Sequence, residues 1–599
     1  MVQRAKKQNA AENMHKQIPS VQWWSSLPFY LLLIVLFFSP IVPDVKLTRP
    51  KLFVLETGLY GTLFLWAAWQ CIDGKIKVRR FVPALPLALY AVAGFVMYLL
   101  SSDRPVALNE FKRAMLSCAA FLAVPLVVTS DGKRDAALAA WLGGSFCAIV
   151  YGILQYSGGV GQLMVPHMQR VMSTFGNPIF FAAHIVITLP LAAGLWFASR
   201  RKIARTFLSV FILAALAALF FTGTRAAYIG LAAAAAVFIF AAIPTKRTRV
   251  IAVSALVLAA TVFFLSTEKL WNRQQAHGLI WRDTVTMWLQ NPWTGTGPGT
   301  FHIYFPKYAS DELKRIWPTG QFIVNDAHNE FLQYLSETGV VGLGIFIWVL
   351  TAFFVGTWRL SRVSGYRRRM ALTGAAAACV GLLTQNIFSV DMRFIVSAAS
   401  LFLTMGFAAS YRDEWVERRI TTTAARGMGL ALVASAGFLV FSKVLEPYRA
   451  QQKVASAPDF FDEKVLEPAK TIADLQELAK KFPDKASIYE KLGWVYAKEK
   501  NWSSAIVSFK RSSELDPSLA GPLNNLGNIY FLSGDRTRAI HYWEQSLTID
   551  PGQIDSRLNL ATAYYYQGQL KEASDQVKEV LKIQPGNEKA IVLLKQMTE

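Results

Sequence analysis

The stretch Pro178-Ile-Phe-Phe-Ala-Ala-His-Ile-Val-Ile-Thr-Leu-Pro-Leu-Ala-Ala-Gly-Leu-Trp-Phe-Ala198 carries no Asp, Glu, Lys or Arg and runs into Arg200-Arg201-Lys202. An α-helix needs about 20 apolar residues to cross the hydrocarbon core of a bilayer. A continuous run of that kind, rather than an alternating one, excludes a membrane β-strand. Similar windows centre near residues 35, 61, 91, 121, 146, 214, 235, 257, 348, 380, 401 and 436. With the quoted stretch they make about thirteen spans, the fourth and the last being the least regular.

Composition agrees. The 599 residues are 53% hydrophobic, and the mean hydropathy is +0.30, too apolar for a soluble chain of this length. Most of the net charge of +22 lies in short clusters between apolar runs, at Lys75–Arg80, Arg200–Arg205, Lys246–Arg249 and Arg367–Arg369. Clusters so placed are topology determinants facing anionic lipid, and no nucleic-acid-binding motif accompanies them. Nucleic acid is therefore not an expected partner. Cys71, Cys118, Cys147 and Cys379 lie in or beside apolar runs at spacings that suit neither a metal site nor a disulfide framework. The basic N-terminus, 1–26, leads into an apolar run near Leu27–Val42 without a small-residue cleavage site. An uncleaved first span is expected.

With Arg4, Lys6, Lys7 and Lys16 on the cytoplasmic side, every even-numbered connector that follows is rich in Lys and Arg. Several odd connectors carry one basic residue, Arg170, Arg225 or Arg393. The first and third odd connectors run against the rule, holding Lys46, Arg49 and Lys51, and Arg104, Lys112 and Arg113. The orientation places the long connector 267–338 outside. If the span near Met428–Lys443 is real, everything beyond about residue 445 lies outside as well.

After residue 445 the composition turns polar and a 34-residue period appears. Leu492-Gly493, Leu526-Gly527 and Leu560-Ala561 recur, as do Tyr496, Tyr530 and Tyr564, then Ala505, Ala539 and Ala573, then Pro517, Pro551 and Pro585. This pattern resembles the tetratricopeptide repeat, an α-solenoid that docks partners on a concave face. Three full repeats, a degenerate unit from Thr471 and a capping helix at about 587–598 are expected. The fold class is all-α: a polytopic membrane helix bundle of about 12–13 spans, 27–445, a linker 446–470, and a repeat solenoid, 471–599.

Four polar positions stand out in the odd connectors. Arg170 opens Arg170-Val-Met-Ser-Thr-Phe-Gly-Asn-Pro178, and Arg225 lies in Thr222-Gly-Thr-Arg-Ala-Ala-Tyr228. Arg282 follows Trp281 and precedes Asn291-Pro-Trp-Thr-Gly-Thr-Gly-Pro-Gly-Thr-Phe301, and His328 sits in Asp326-Ala-His-Asn-Glu-Phe-Leu-Gln-Tyr-Leu-Ser-Glu-Thr-Gly-Val-Val-Gly342. Guanidinium groups hold phosphate oxygens bidentately and offset charge on a departing pyrophosphate. A neutral histidine can take a proton from an attacking hydroxyl. Each arginine taken alone equally suits a side chain snorkelling to headgroups, and His328 alone suits a helix cap. Gly295–Gly299 lacks a following Lys and reads as a turn rather than a phosphate loop. His15, His167, His184, His277, His302 and His541 stand in no comparable motif. Ionisable residues inside the spans are few, Glu56 being the clearest, which counts against ion-coupled transport.

In this order the four motifs resemble the bacterial O-antigen ligase and polymerase superfamily, which includes O-oligosaccharyltransferases and members ending in tetratricopeptide repeats. The resemblance implies a glycosyltransferase of the bacterial cytoplasmic membrane, needing no metal or other cofactor. Its donor would be an undecaprenyl-pyrophosphate-linked glycan and its acceptor a hydroxyl on the outer face. By that analogy Arg170, Arg225 and Arg282 hold pyrophosphate and His328 activates the acceptor, while Asn329 and Glu337 support local structure. The motifs do not separate a protein acceptor, a glycolipid acceptor and a growing glycan. An outside repeat array favours a docked acceptor protein or other surface acceptor, with polymerisation of lipid-linked units as the alternative. A lipid-linked sugar transporter and a non-catalytic scaffold are the competing classes.

Overall fold

The computed structural model describes residues 24–43, 50–160, 163–164, 169–242, 275–316, 324–455 and 471–598, apart from single positions within these ranges, and a few isolated residues between them. The ninth apolar window, near 257, lies outside the described residues, as do 1–23, Pro551 and Pro585. The chain divides into two compact units: Met1–Tyr308 with Asn325–Arg449, and Ala309–Val324 with Ala450–Glu599.

The first unit is a helix bundle. Its elements are α1 (Leu27–Ile41), α2 (Pro50–Asp73), β1 (Lys75–Arg79), α3 (Ala84–Leu100), α4 (Arg104–Val127), α5 (Asp131–Ser157), α6 (Pro178–Ala198), α7 (Lys202–Thr222), α8 (Arg225–Ala242), α9 (Gln275–Gln290), α10 (Glu330–Val363), α11 (Tyr366–Gln385), α12 (Ile395–Ala409), β2 (Trp415–Arg419) and α13 (Thr423–Ala455). Each apolar window within the described residues is a helix. Among the described residues seven helices are long and apolar enough to cross a membrane, and three apolar ones are shorter, within α3, α8 and α12. The helices over the fourth and eleventh windows, α4 and α11, open on charged turns, Arg104 to Arg113 and Arg367 to Arg369.

Local chemistry sets the helix ends. The Asn177 side chain accepts from Ile179 N at 2.8 Å with Pro178 in the first turn, and Gly158 closes α5 at φ 77°. The quoted stretch, α6, is the most enclosed of the candidate spans, with 72% of its window buried. Glycines let it approach α11: a Cβ on Gly194 would stand 2.6 Å from Gly374 Cα. Close backbone approach of this kind is how helices pack where lipid removes the hydrophobic drive.

Contacts sort the connectors, numbered by the thirteen windows, into two groups. Among even connectors, β1 pairs antiparallel with β2, Lys75 opposite Arg419. Buried Arg79 donates to the carbonyls of Pro125 (3.1 Å) and Val128 (2.8 Å), and Arg134 Nε to Ser410 Oγ (2.9 Å). Among odd connectors, Lys51 donates to Thr174 Oγ1 (3.1 Å), Thr224 Oγ1 to Pro178 O (3.4 Å), and Phe180 stacks on Phe394 at 4.2 Å. Contacts between connectors of like parity are what a chain crossing back and forth requires.

Two anomalies in the charge pattern find a physical reason here. Lys51 is not a loop charge: it is fully buried in α2 and also donates to the carbonyls of Ser39 (3.1 Å) and Pro40 (2.7 Å). Arg113 lies within α4 and pairs with Glu110 at 2.8 Å. Neither competes with the basic clusters of the even connectors. The thirteenth window is a helix too. α13 runs antiparallel to α2, with Gly429 against Cys71, Gly437 against Phe64 and Phe441 against Gly61.

In the second unit the helices are α14 (Ile472–Lys481), α15 (Ala486–Lys498), α16 (Trp502–Leu515), α17 (Ala520–Leu532), α18 (Arg536–Ile549), α19 (Ile554–Tyr566), α20 (Leu570–Ile583) and α21 (Glu588–Thr598). The 34-residue period becomes three helix pairs with α14 before and α21 after. The small repeated residues sit at helix crossings: a Cβ on Gly493 would meet Phe509 at 2.8 Å, one on Gly527 the Trp543 ring at 2.5 Å. Ala505, Ala539 and Ala573 are fully buried. Asn501 and Asp535 cap α16 and α18 by accepting from Ser504 N and Arg538 N.

Candidate active site

The connector 267–338 is less of a loop than its polarity suggests, since it contains α9 and the first turns of α10. The Asn329 side chain caps α10, accepting from Phe331 N (3.0 Å) and Leu332 N (3.1 Å). Gly339, at φ 63° and ψ −171°, breaks α10 just beyond Thr338. A Cβ there would stand 2.2 Å from the Trp293 carbonyl, so only glycine admits the approach.

The glycine run 295–299 is zipped onto that break. Thr296 N donates to Ser336 O (3.0 Å), and Gly297 N to Glu337 O (2.9 Å). The Glu337 carboxylate accepts from Gly299 N (2.8 Å), Phe301 N (3.3 Å) and Gln333 Nε2 (3.2 Å), and pairs with Arg393. The run is a turn fastened to α10 and does not cradle a phosphate. Glu337 stands at a junction of three segments, the glycine run, α10 and the turn holding Arg393, and Asn329 at a helix start.

His328 is fixed from both sides. Ala327 N donates to Gln333 Oε1 (2.9 Å), Ala327 O accepts from Trp281 Nε1 (3.0 Å), and Glu330 N donates to Asn386 O (2.9 Å). His328 itself has φ 52°, a left-handed conformation that costs a residue with a Cβ free energy and is often found at functional sites. Its imidazole stacks on that of His277, ring centroids 4.6 Å apart and 25° from parallel. Burial holds His328 below the ordinary imidazole value, with Asp326 opposing; burial lowers His277 too, helped by His328. Both rings are therefore neutral near pH 7.

The placement of His277 corrects the sequence reading, which set it aside. It lies one helical turn before Trp281, so both face the His328 connector from α9. That i, i+4 spacing of His and Trp was the available signal, but it marks nothing until the partner segment is known. Arg282 is the next residue of α9; its side chain is 52% exposed and its Nε meets the buried Asp283 carboxylate at 3.2 Å.

The other two arginines form a second group. Arg170 Nε donates to Thr222 O (3.0 Å) and Arg170 Nη2 to Thr224 Oγ1 (3.4 Å), while Val171 N donates to Phe221 O (3.1 Å). Arg170 is thus fastened to the turn from which α8 begins at Arg225, a turn made by Gly223 at φ 58°. Thr224 reaches Pro178, Phe180 stacks on Phe394, and Arg393 beside it binds Glu337. Both groups therefore stand at the odd-connector end of the bundle. The structure joins Arg170 to the Arg225 turn and the Arg282 helix to His328.

Residues 210–347 match the family described as O-Antigen ligase, and residues 518–585 match the tetratricopeptide repeat. The first segment contains Arg225, Arg282, His328, Asn329 and Glu337; Arg170 precedes it. No curated protein matches the chain. Similar solved structures include the second tetratricopeptide domain of human RPAP3 with an HSP70 peptide, at 25% identity over 19% of this chain and 96% of that one, TM-score 0.18. Others are the MamA protein, at 22% over 23% and 77%, TM-score 0.21, and TTC0263, a thermophilic repeat protein of Thermus thermophilus, at 21% over 29% and 96%, TM-score 0.20. The chain thus resembles O-antigen ligases over residues 210–347 and carries tetratricopeptide repeats toward its C-terminus.

Proposed function

We propose that the chain is a membrane glycosyltransferase that moves a glycan from an undecaprenyl-pyrophosphate carrier to an acceptor hydroxyl at the outer face of a bacterial cytoplasmic membrane. The observation that carries this reading is the seating of backbone-strained His328 against α9, the helix that bears Arg282. The matched O-antigen ligase segment gives it a reaction class.

His328 takes the proton of the acceptor hydroxyl as the oxygen bonds to the anomeric carbon. The bond from that carbon to the pyrophosphate oxygen breaks, and the carrier leaves as its pyrophosphate. Arg282, with Arg225 and Arg170, offsets the charge that develops on the leaving group. The arginines remain charged at every accessible pH. No metal ion or other cofactor is invoked.

The repeats dock the acceptor, a protein or another surface molecule. Thirteen apolar windows, with α13 laid along α2, support an array on the same side of the membrane as the four site residues. In cells, His328→Ala is expected to abolish glycan attachment and to accumulate carrier-linked glycan, with the protein still in the membrane. Normal glycosylation in that strain would favour a transporter or scaffold and overturn the mechanism.

A further inference from the structure

A cleft opens between α3, α4, α10 and α12, and none of the arginines assigned to pyrophosphate lines it. One wall is apolar, with Ala93, Met97, Ile345 and Phe402; the other end is polar, with Glu110, Arg113, Glu330, Glu337 and Arg393. Part of that polar end is internally paired. Arg393 binds Glu337 and stands 3.7 Å from Glu110, and Arg113 stands 2.8 Å from Glu110.

The pairing is incomplete. Glu330 is only 3% exposed, and its Oε2 has no hydrogen-bond partner among the described residues; Arg113 Nε and Arg393 Nε are likewise buried and unpartnered there. Buried polar atoms are nearly always satisfied, so three exceptions around one cleft call for a ligand. They comprise one acceptor and two donors. An ammonium group would use only the carboxylate and would face two guanidiniums. A phosphate would use only the donors and would face three carboxylates. A hydroxyl both donates and accepts, so a polyol answers all three. The linked hydroxyls of Tyr90 and Tyr334, 2.8 Å apart, line the same cleft, and an apolar wall suits the face of a sugar ring.

We infer that this cleft is a subsite for a neutral, hydroxyl-rich sugar unit of the glycan being transferred. The inference rests on the glycan-transfer reading above and adds a place for the sugar. Glu330 follows His328 by two residues in the chain. Glu330 accepts a hydroxyl, and the guanidiniums of Arg113 and Arg393 donate to ring or hydroxyl oxygens.

The test is saturation-transfer NMR on the full chain in lipid nanodiscs. The probes are methyl β-D-glucopyranoside, methyl β-D-galactopyranoside and methyl N-acetyl-β-D-glucosaminide, with inorganic phosphate and ethanolamine as competitors. At least one glycoside is expected to receive saturation. The signal should fall at least about 5-fold in Glu330→Gln, survive in His328→Ala, and resist both competitors. Met97→Trp, which fills the apolar wall and leaves the charges alone, is expected to cause the same loss if Glu330→Gln fails to fold. Displacement by phosphate or ethanolamine, or a signal unchanged in both variants, overturns the subsite. A wild-type protein that transfers glycan yet binds none of the glycosides overturns the subsite and leaves the transfer reading standing.

Discussion

His277 and His328 lie face to face, their ring centroids 4.6 Å apart and their planes 25° from parallel. The pair joins α9 to the connector that opens α10, so the helix bearing Arg282 is held against the proposed base. Because burial is the main cause of the lowered His328 value, the site favours a neutral ring ready to accept a proton.

That cause fixes the pH dependence of transfer. The active form is unprotonated, so the rate should be flat above the ordinary imidazole value of about 6.5 and fall only at lower pH. His277→Ala lets water reach His328, and the acid limb should move upward toward that value. A limb that stays in place or moves down in His277→Ala contradicts the role of burial. Transfer rates measured across pH 5 to 8 for both proteins decide it.

Arg282 and Arg225 are expected to act on the leaving group. Loss of one charge-stabilising donor costs on the order of 10²-fold in rate, so Arg282→Ala and Arg225→Ala should each slow transfer by about that much. Lysine at either position should restore only part, because an ammonium lacks the planar fork. Single-turnover kinetics on carrier-linked glycan provide the measurement.

Glu337 is expected to matter for stability. Its carboxylate holds Arg393, Gly299 N and Phe301 N in a buried setting. Removing one member of a buried, hydrogen-bonded ion pair costs roughly 3–5 kcal/mol. Glu337→Gln should lower the thermal unfolding temperature of the purified protein markedly, whereas Arg282→Ala, whose guanidinium is half exposed, should lower it by less.

The side on which the repeats lie follows from α13. In a chain with Cys147, the one exposed cysteine among those described, replaced by Ser, Ser503→Cys should react with an impermeant thiol reagent in spheroplasts. Protection would place the array in the cytoplasm and remove the case for acceptor docking. With the array outside, deletion of residues 455–599 should spare glycan assembly on the carrier and reduce attachment to the acceptor.

Much of the frame was legible because it depends on composition and period. A charge-free run such as Pro178–Ala198 has few alternatives to a helix, and a 34-residue spacing of Gly493, Gly527 and Ala561 marks helix crossings directly. The basic odd connectors were misleading because Lys51 and Arg113 look like loop charges until their partners within the bundle are seen. His277 escaped notice for a related reason: its significance depends on a connector about fifty residues later in the chain. Glu330 and Arg393 carry no local signal either, since only the packing of α4, α10 and the Asp391–Arg393 turn brings their charges together.

The central claim concerns His328 as the base for glycan transfer. The most direct measurement is product formation by the purified full-length protein in liposomes with carrier-linked glycan and an acceptor, wild type against His328→Ala. A positioned general base contributes about 10²–10⁴-fold, so the variant should lose at least about 100-fold in rate while melting at the wild-type temperature. Transfer within a few-fold of wild type by a folded His328→Ala protein would contradict it.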